Sequence, residues 1–171
     1  MEDYDNKFFL EVKQSICTHL LDLNEKVKMT ETGIVYDSLV KDLKLEDYKG
    51  IEKKFIYIIY IKTEMNDLNQ RYLEAKTNKQ RSFAKINKEN ENSKVLYVGS
   101  SKNIYSRLQN HIQGKSEKTY SLHMKSWVID SDNIYIKLLS FDDSVEDTVI
   151  QLIEDEYWDK YKPRFGKQGK K

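Results

Sequence analysis

Nine residues, Lys54–Lys62 (KFIYIIYIK), limit the fold more than any other stretch of this 171-residue chain. The run between its lysines is continuously β-branched or aromatic. A strand with one wet face alternates apolar and polar residues, and a strand without alternation is covered on both faces. The chain must therefore build a sheet and supply layers for both of its sides.

Lys94–Gly99 reads as a second strand. Ser100 or Ser101 is placed to cap the helix that follows. Ile104, Leu108 and Ile112 form the buried edge of that helix, with Arg107 and His111 one turn apart beside them, and Gly114 ends it. Leu122–Ile129 reads as a short helix running into a turn, and Asn133–Phe141 as a third strand. The last helix begins near Ser144, where Ser-Val-Glu-Asp has capping-box spacing. It runs to about Tyr161, because Pro163 cannot continue it. Upstream, 5–23 has a helical apolar stripe (Phe8, Phe9, Val12, Ile16, Leu20, Leu23), and 31–44 suggests a second helix through Ile34, Val35, Leu39, Val40 and Leu43. The expected fold is α+β, with a small, mainly antiparallel three-stranded sheet flanked by helices. Residues 1–50 are expected to be an N-terminal helical extension, and 51–171 the main domain. A long polar insertion at 63–93 reads as a surface excursion. The other reading is a DNA-contacting arm through Arg71, Lys76, Lys79, Arg81 and Lys85.

The single cysteine, Cys17, rules out a disulfide within the chain and any cysteine-based zinc site, and fits a reducing compartment. No apolar run approaches the ~20 residues needed to cross a bilayer, and the acidic N-terminus lacks a signal-peptide core. A soluble cytoplasmic protein with no membrane partner is expected. The net charge of +1 hides a basic end, because residues 160–171 carry six lysines and arginines and no acid. That bias points to a localised anionic partner, or to a solvated terminus.

A strand-end tyrosine, an arginine and a histidine can together handle a phosphodiester. The tyrosine or histidine moves a proton, and the arginine holds phosphate oxygens. Glu154, on the last helix, offers a hard oxygen ligand for Mg²⁺, with water and substrate phosphate completing the octahedron. The lack of a dense acidic cluster favours one metal over two. Each residue alone has a plainer reading: strand tyrosines pack, helix arginines and histidines face solvent, and Glu154 beside Asp155 and Glu156 makes an acidic patch. Their order and spacing favour a site.

Phe55-Ile56-Tyr57, Tyr97-Val98-Gly99, the Arg107/His111 pair and Glu154 nine residues before Pro163 together resemble a GIY-YIG nuclease domain over roughly 53–166. Two positions depart from that pattern: Phe55 replaces the first glycine, and Gly166 stands where an asparagine usually follows the proline. An alternative register uses Ile58-Ile59-Tyr60. The long 63–93 insertion is more similar to the restriction-enzyme branches. The resemblance implies a metal-dependent endonuclease acting on double-stranded DNA, of restriction or defence type. It implies one Mg²⁺ (Mn²⁺ as substitute) on Glu154 and no organic cofactor. It assigns Tyr57 to activating water, with Tyr97 and His111 orienting and Arg107 clamping phosphate. Lys102, Lys162, Arg164 and Lys167 are the expected grips on nucleic acid. Cutting both strands with one small site needs a homodimer or two successive events. The alternatives are a binding module of the same fold that no longer cuts, and a protein-interaction domain.

Overall fold

The computed structural model describes residues 34–65, 67–78 and 81–169, so the helix expected at 5–23 lies outside the described residues. Four strands form one sheet: β1 (Ile34–Leu39), β2 (Lys54–Ile61), β3 (Val95–Ser101) and β4 (Ile134–Phe141). Their order is β1-β4-β2-β3 and every neighbouring pair is antiparallel. The expected antiparallel pairing of the first two strands is present as β2–β3, but the sheet has four strands instead of three. The added strand comes from the segment read as a helix at 31–44. Val35 and Tyr36 favour strand, and β4 offers an open edge whose backbone groups need partners. Two 3-10 turns, Val40–Asp42 and Leu45–Tyr48, follow it. Ile34–Leu39 thus belongs to the sheet, and is not part of a helical extension.

β2 lies between β4 and β3, which accounts for its unbroken apolar run. Successive side chains point to opposite faces. Phe55, Tyr57, Ile59 and Ile61 join the main core with Ile136 and Leu138. Ile56 and Ile58 point the other way, and helix α3 (Asp147–Tyr161) packs against β3 and β2 through buried Val149 and Ile150. Helix α2 (Ile104–Ile112) contributes Ile104 and Leu108 to the main core.

The 63–93 segment is not a loose excursion. It contains helix α1 (Leu68–Asn78), whose Tyr72 is fully buried and stacks on Phe165 at 3.9 Å, with Phe83 and Trp127 edge-on at 5.5 and 5.4 Å. The closing segment 164–166 is held on both sides. Arg164 and Phe165 donate N–H bonds to Val95 and Leu96 of β3, while Gly166 donates to Lys85. Polar residues outnumber these few aromatics, which is why the segment looks like surface in the sequence. No helix among the described residues is long and apolar enough to cross a membrane.

The caps also differ from expectation. Asn103, rather than Ser100 or Ser101, accepts the Ser106 N–H at the start of α2. Ser144 makes no capping box, because its N–H and hydroxyl both donate to Asp142. Gly114 closes α2 as expected, with φ +67°.

Candidate active site

β2 and β3 pair so that Tyr57 lies opposite Gly99. The Tyr57 ring crosses the bare Gly99 backbone. A Cβ built on Gly99 would sit 2.5 Å from the phenol oxygen and 2.9 Å from the Tyr97 ring. Glycine is therefore required there by close approach, and only glycine leaves room for both phenols. Tyr97 lies two residues before Gly99 on the same face of β3, and its ring stacks in parallel on that of Tyr57 from β2 at 5.9 Å. Gly99→Ala is expected to lower stability by about 1–3 kcal/mol, the usual cost of overpacking. Thermal unfolding should show a loss of about 2–4 °C for each kcal/mol.

One turn of α2 places Arg107 and His111 on this pair. Arg107 Nε donates to the Tyr57 oxygen at 2.8 Å and Nη2 to the Tyr97 oxygen at 2.9 Å. Its third contact, Nη1 to the Tyr120 carbonyl at 3.0 Å, fixes the guanidinium plane. Burial opposes the Arg107 charge, but the two phenol oxygens together outweigh it and Arg107 stays charged.

His111 is completely buried. Its Nδ1 accepts the Leu122 N–H at 3.2 Å, so the proton of the neutral ring lies on Nε2, which donates to the Tyr57 oxygen at 3.1 Å. Burial, then the charge of Arg107, hold its pKa well below 6.5. Both ring nitrogens are taken by protein partners, so the imidazole positions Tyr57 and has no atom left for substrate, unlike the water- or phosphate-orienting role expected from sequence. Its pKa shift has a stability consequence. The unfolded histidine binds a proton near pH 6.5 and the folded one does not, so stability is present above that pH and is lost as pH falls toward the folded value. The slope approaches about 1.4 kcal/mol per pH unit for this one group. Urea midpoints measured from neutral to mildly acidic pH should fall accordingly, and less steeply in His111→Gln.

Tyr57 is fully buried, and burial followed by the neighbouring Tyr97 push its pKa above the ordinary tyrosine value, against the pull of Arg107. At neutral pH it is a phenol. Two N–H groups occupy its lone-pair directions, so its own hydrogen is the one left for a third partner. The same two donors would hold the oxygen if that hydrogen left.

Glu154 approaches from α3, on the other side of the edge strand. Ser100 points to that face, as the residue opposite Ile56, and its hydroxyl donates to Glu154 Oε2 at 2.5 Å. The carboxylate is part-buried and not turned into solvent. Burial raises its pKa, and it lies within electrostatic reach of both Arg107 and Tyr57. The site is thus built across β3: two phenols and a guanidinium on one face, a carboxylate and a serine on the other, with Gly99 between. Among the described residues no group of three or more His, Cys, Asp or Glu side chains could hold a metal. Glu154 supplies one hard oxygen ligand, with Oε2 oriented by Ser100. That donor set suits a cation that keeps most of its water, as Mg²⁺ does.

The four cations expected to grip nucleic acid separate. Arg164 is 2% exposed, ion-paired to Glu64 at 2.8 Å and bonded to the Ser93 carbonyl, so it is a structural residue and cannot reach a backbone phosphate. Lys102 is paired with Asp147 at 2.7 Å and Lys162 with Asp159 at 3.1 Å. Lys167 is exposed beside Tyr97 and Arg107. Within the insertion, Arg71 is held by Asp132 at 2.7 Å, Arg81 lies 3.7 Å from Glu117, and Lys79 lies outside the described residues.

Sequence reasoning missed Ser100 as the partner of Glu154. The alternation of β3 carried the signal, because residues 97 and 99 on one face put 100 on the other. It also read Gly166 as a gap in the motif. Gly166 has φ +104°, and a Cβ there would lie 2.9 Å from the Tyr97 ring, so glycine supports that ring from behind. Asn87, fully buried in the insertion, donates its side-chain amide to the Pro163 carbonyl at 2.9 Å and steadies this closing turn.

No curated protein and no solved structure matches the chain. The family model of the GIY-YIG catalytic domain matches residues 55–127, the segment that carries both tyrosines, Gly99, Arg107 and His111. That match falls on the residues that converge in space and identifies a GIY-YIG catalytic domain within the chain.

Proposed function

We propose that the protein is a metal-dependent endonuclease that hydrolyses DNA phosphodiester bonds, in a restriction or defence role. The observation that carries this reading is the convergence of Arg107 and His111 N–H groups on the Tyr57 oxygen, with Glu154 across the edge strand. Two polar side chains, one buried and one half-buried, that both donate to one buried phenol are more than packing requires. The long 63–93 insertion is the feature that favours a restriction-type branch.

In the proposed reaction an attacking water oxygen forms a bond to phosphorus and the bond to the departing sugar oxygen breaks. Tyr57, after its own hydrogen has passed to solvent, takes the water's proton, and the departing sugar oxygen is protonated by solvent. Arg107 and His111 hold the phenolate by their N–H groups, and the Arg107 charge opposes the negative charge that grows on the phosphate oxygens. Tyr97 keeps the guanidinium in plane. Glu154, oriented by Ser100, would hold a divalent cation, Mg²⁺ or Mn²⁺. When bound, that ion supplies positive charge for the phosphate and lowers the pKa of water. Lys167 is the remaining expected cation placed to meet the DNA backbone. One site cuts one strand, so cleavage of both strands requires a second copy of the chain or a second event. No organic cofactor enters this scheme, and the single cysteine suits a reducing, cytoplasmic setting.

Supercoiled plasmid incubated with the purified protein tests the reading. Nicked or linear product is expected with Mg²⁺ or Mn²⁺ and none with a chelator in excess. Intact plasmid under all metal conditions would leave the binding-module reading in its place.

A further inference from the structure

A recess of about 400 Å³ opens beside Tyr97 and Arg107, and its walls differ from those of a simple phosphate track. Its floor is apolar or bare: Phe83, Ala84, the Tyr97 ring and Gly166. Its charged groups are Lys76, Lys85, Lys167 and Arg107, with no carboxylate in the lining. Among the described residues none of the three lysines is ion-paired. Lys76 donates to the Ala84 carbonyl at 3.2 Å, which fixes its ammonium at the rim. Tyr120 stands at the mouth, 69% exposed, with its backbone carbonyl bonded to Arg107.

Chemistry narrows the occupant. Four cations without an acid call for phosphate. An apolar floor with an exposed aromatic ring calls for a flat, π-faced group. A nucleotide has both, and the volume lies in the range of small-ligand pockets. A paired base inside a duplex stack cannot enter a recess, whereas an unstacked one can. Gly166 keeps the floor open, since the residue there has no side chain.

We propose that this recess receives one unstacked nucleotide of the substrate strand next to the scissile phosphate, its base against Tyr120 and Phe83 and its phosphates among Lys76, Lys85 and Lys167. The proposal rests on the nuclease reading of the adjoining site and adds a substrate class to it: nucleic acid with an unpaired nucleotide at the point of cutting.

Fluorescence anisotropy in Ca²⁺ tests this with three labelled oligonucleotides: a fully paired duplex, the same duplex with one unpaired nucleotide, and a single strand. The wild type is expected to prefer the second and third. Tyr120→Ala, at an exposed position that leaves the core intact, should weaken those two by ~10-fold or more and leave the paired duplex unchanged. The double variant K85Q/K167Q should lower the salt slope of binding by about 1.5. Equal affinity of the wild type for all three oligonucleotides would overturn the proposal, as would a Tyr120→Ala loss that is equal across them or absent. Binding in Ca²⁺ does not depend on cleavage. Plasmid nicking by a wild type without this preference therefore sinks the recess alone, and preference without nicking sinks the enzyme reading alone.

Discussion

Tyr57→Phe is expected to nick plasmid about 10²–10⁴-fold more slowly than the wild type, the range of one catalytic proton transfer. The substitution removes a single oxygen from a buried ring whose packing it leaves in place. It also strands two N–H groups, Arg107 Nε and His111 Nε2, which both donate to that oxygen. Leaving buried donors unpaired costs about 1–3 kcal/mol. A domain of ordinary stability, about 5–15 kcal/mol, remains folded after such a loss. Unfolding therefore cannot account for a rate drop of this size, and a urea midpoint for each protein separates the two effects. The pH profile adds a second arm. Burial and Tyr97 hold the phenol protonated at neutral pH, and the form that accepts a proton from water is the deprotonated one. The wild-type rate should thus climb from neutral into alkaline pH, and the residual rate of Tyr57→Phe should not follow it. A variant that cuts at the wild-type rate would remove Tyr57 from the chemistry.

The parts of this site that were legible from the sequence share a property: their geometry is local. Arg107 and His111 lie one turn apart on one helix, so their spacing alone puts both on a common face. Tyr97 and Gly99 lie two apart on one strand, so alternation does the same. The unbroken run of β2 announced coverage on both sides, and the structure places it between two strands with helices above and below. Position within an element is written in periodicity, and these residues needed nothing more.

What the sequence did not reveal depends on partners distant along the chain. β1 looks helical because Val35, Leu39 and Val40 fall at helical spacing, and only the vacant edge of β4 makes it a strand. Arg164 looks like part of a basic tail until Glu64, a hundred residues earlier, is seen to bind it. The 63–93 insertion looks soluble because Tyr72 and Phe83 are two aromatics in a polar stretch, yet Tyr72 packs on Phe165 and Trp127 and Phe83 packs edge-on against Tyr72. Gly166 looked like a lost asparagine, whereas its value is the absence of a side chain behind Tyr97. In each case tertiary contacts decided the outcome, and local propensity carried little weight.

Glu154→Gln should abolish most of the nicking while leaving the fold as stable as before, or more so. The amide has the size and shape of the carboxylate and can still accept the Ser100 hydroxyl, so the local packing is kept. What it removes is the charge. The direction of the stability change follows from the pKa. Burial raises the folded pKa of Glu154 above its ordinary value, so the ionised form is disfavoured in the folded chain relative to the unfolded one. The stability this group contributes is complete below its unfolded pKa and is lost as pH rises through the folded value. At neutral pH the ionised carboxylate is therefore a burden on the fold, and an uncharged isostere relieves it. A residue kept charged at the expense of stability is a mark of a working site. If a divalent ion on Glu154 supplies several kcal/mol of charge relief, its loss lowers the rate by roughly 10³-fold. The diagnostic result is the combination: a rate that collapses in a protein whose thermal midpoint is equal or higher. A variant that nicks normally would break the link between this carboxylate and the metal. A variant that loses both activity and stability would show that the Ser100–Glu154 contact serves only to fasten α3 to the sheet.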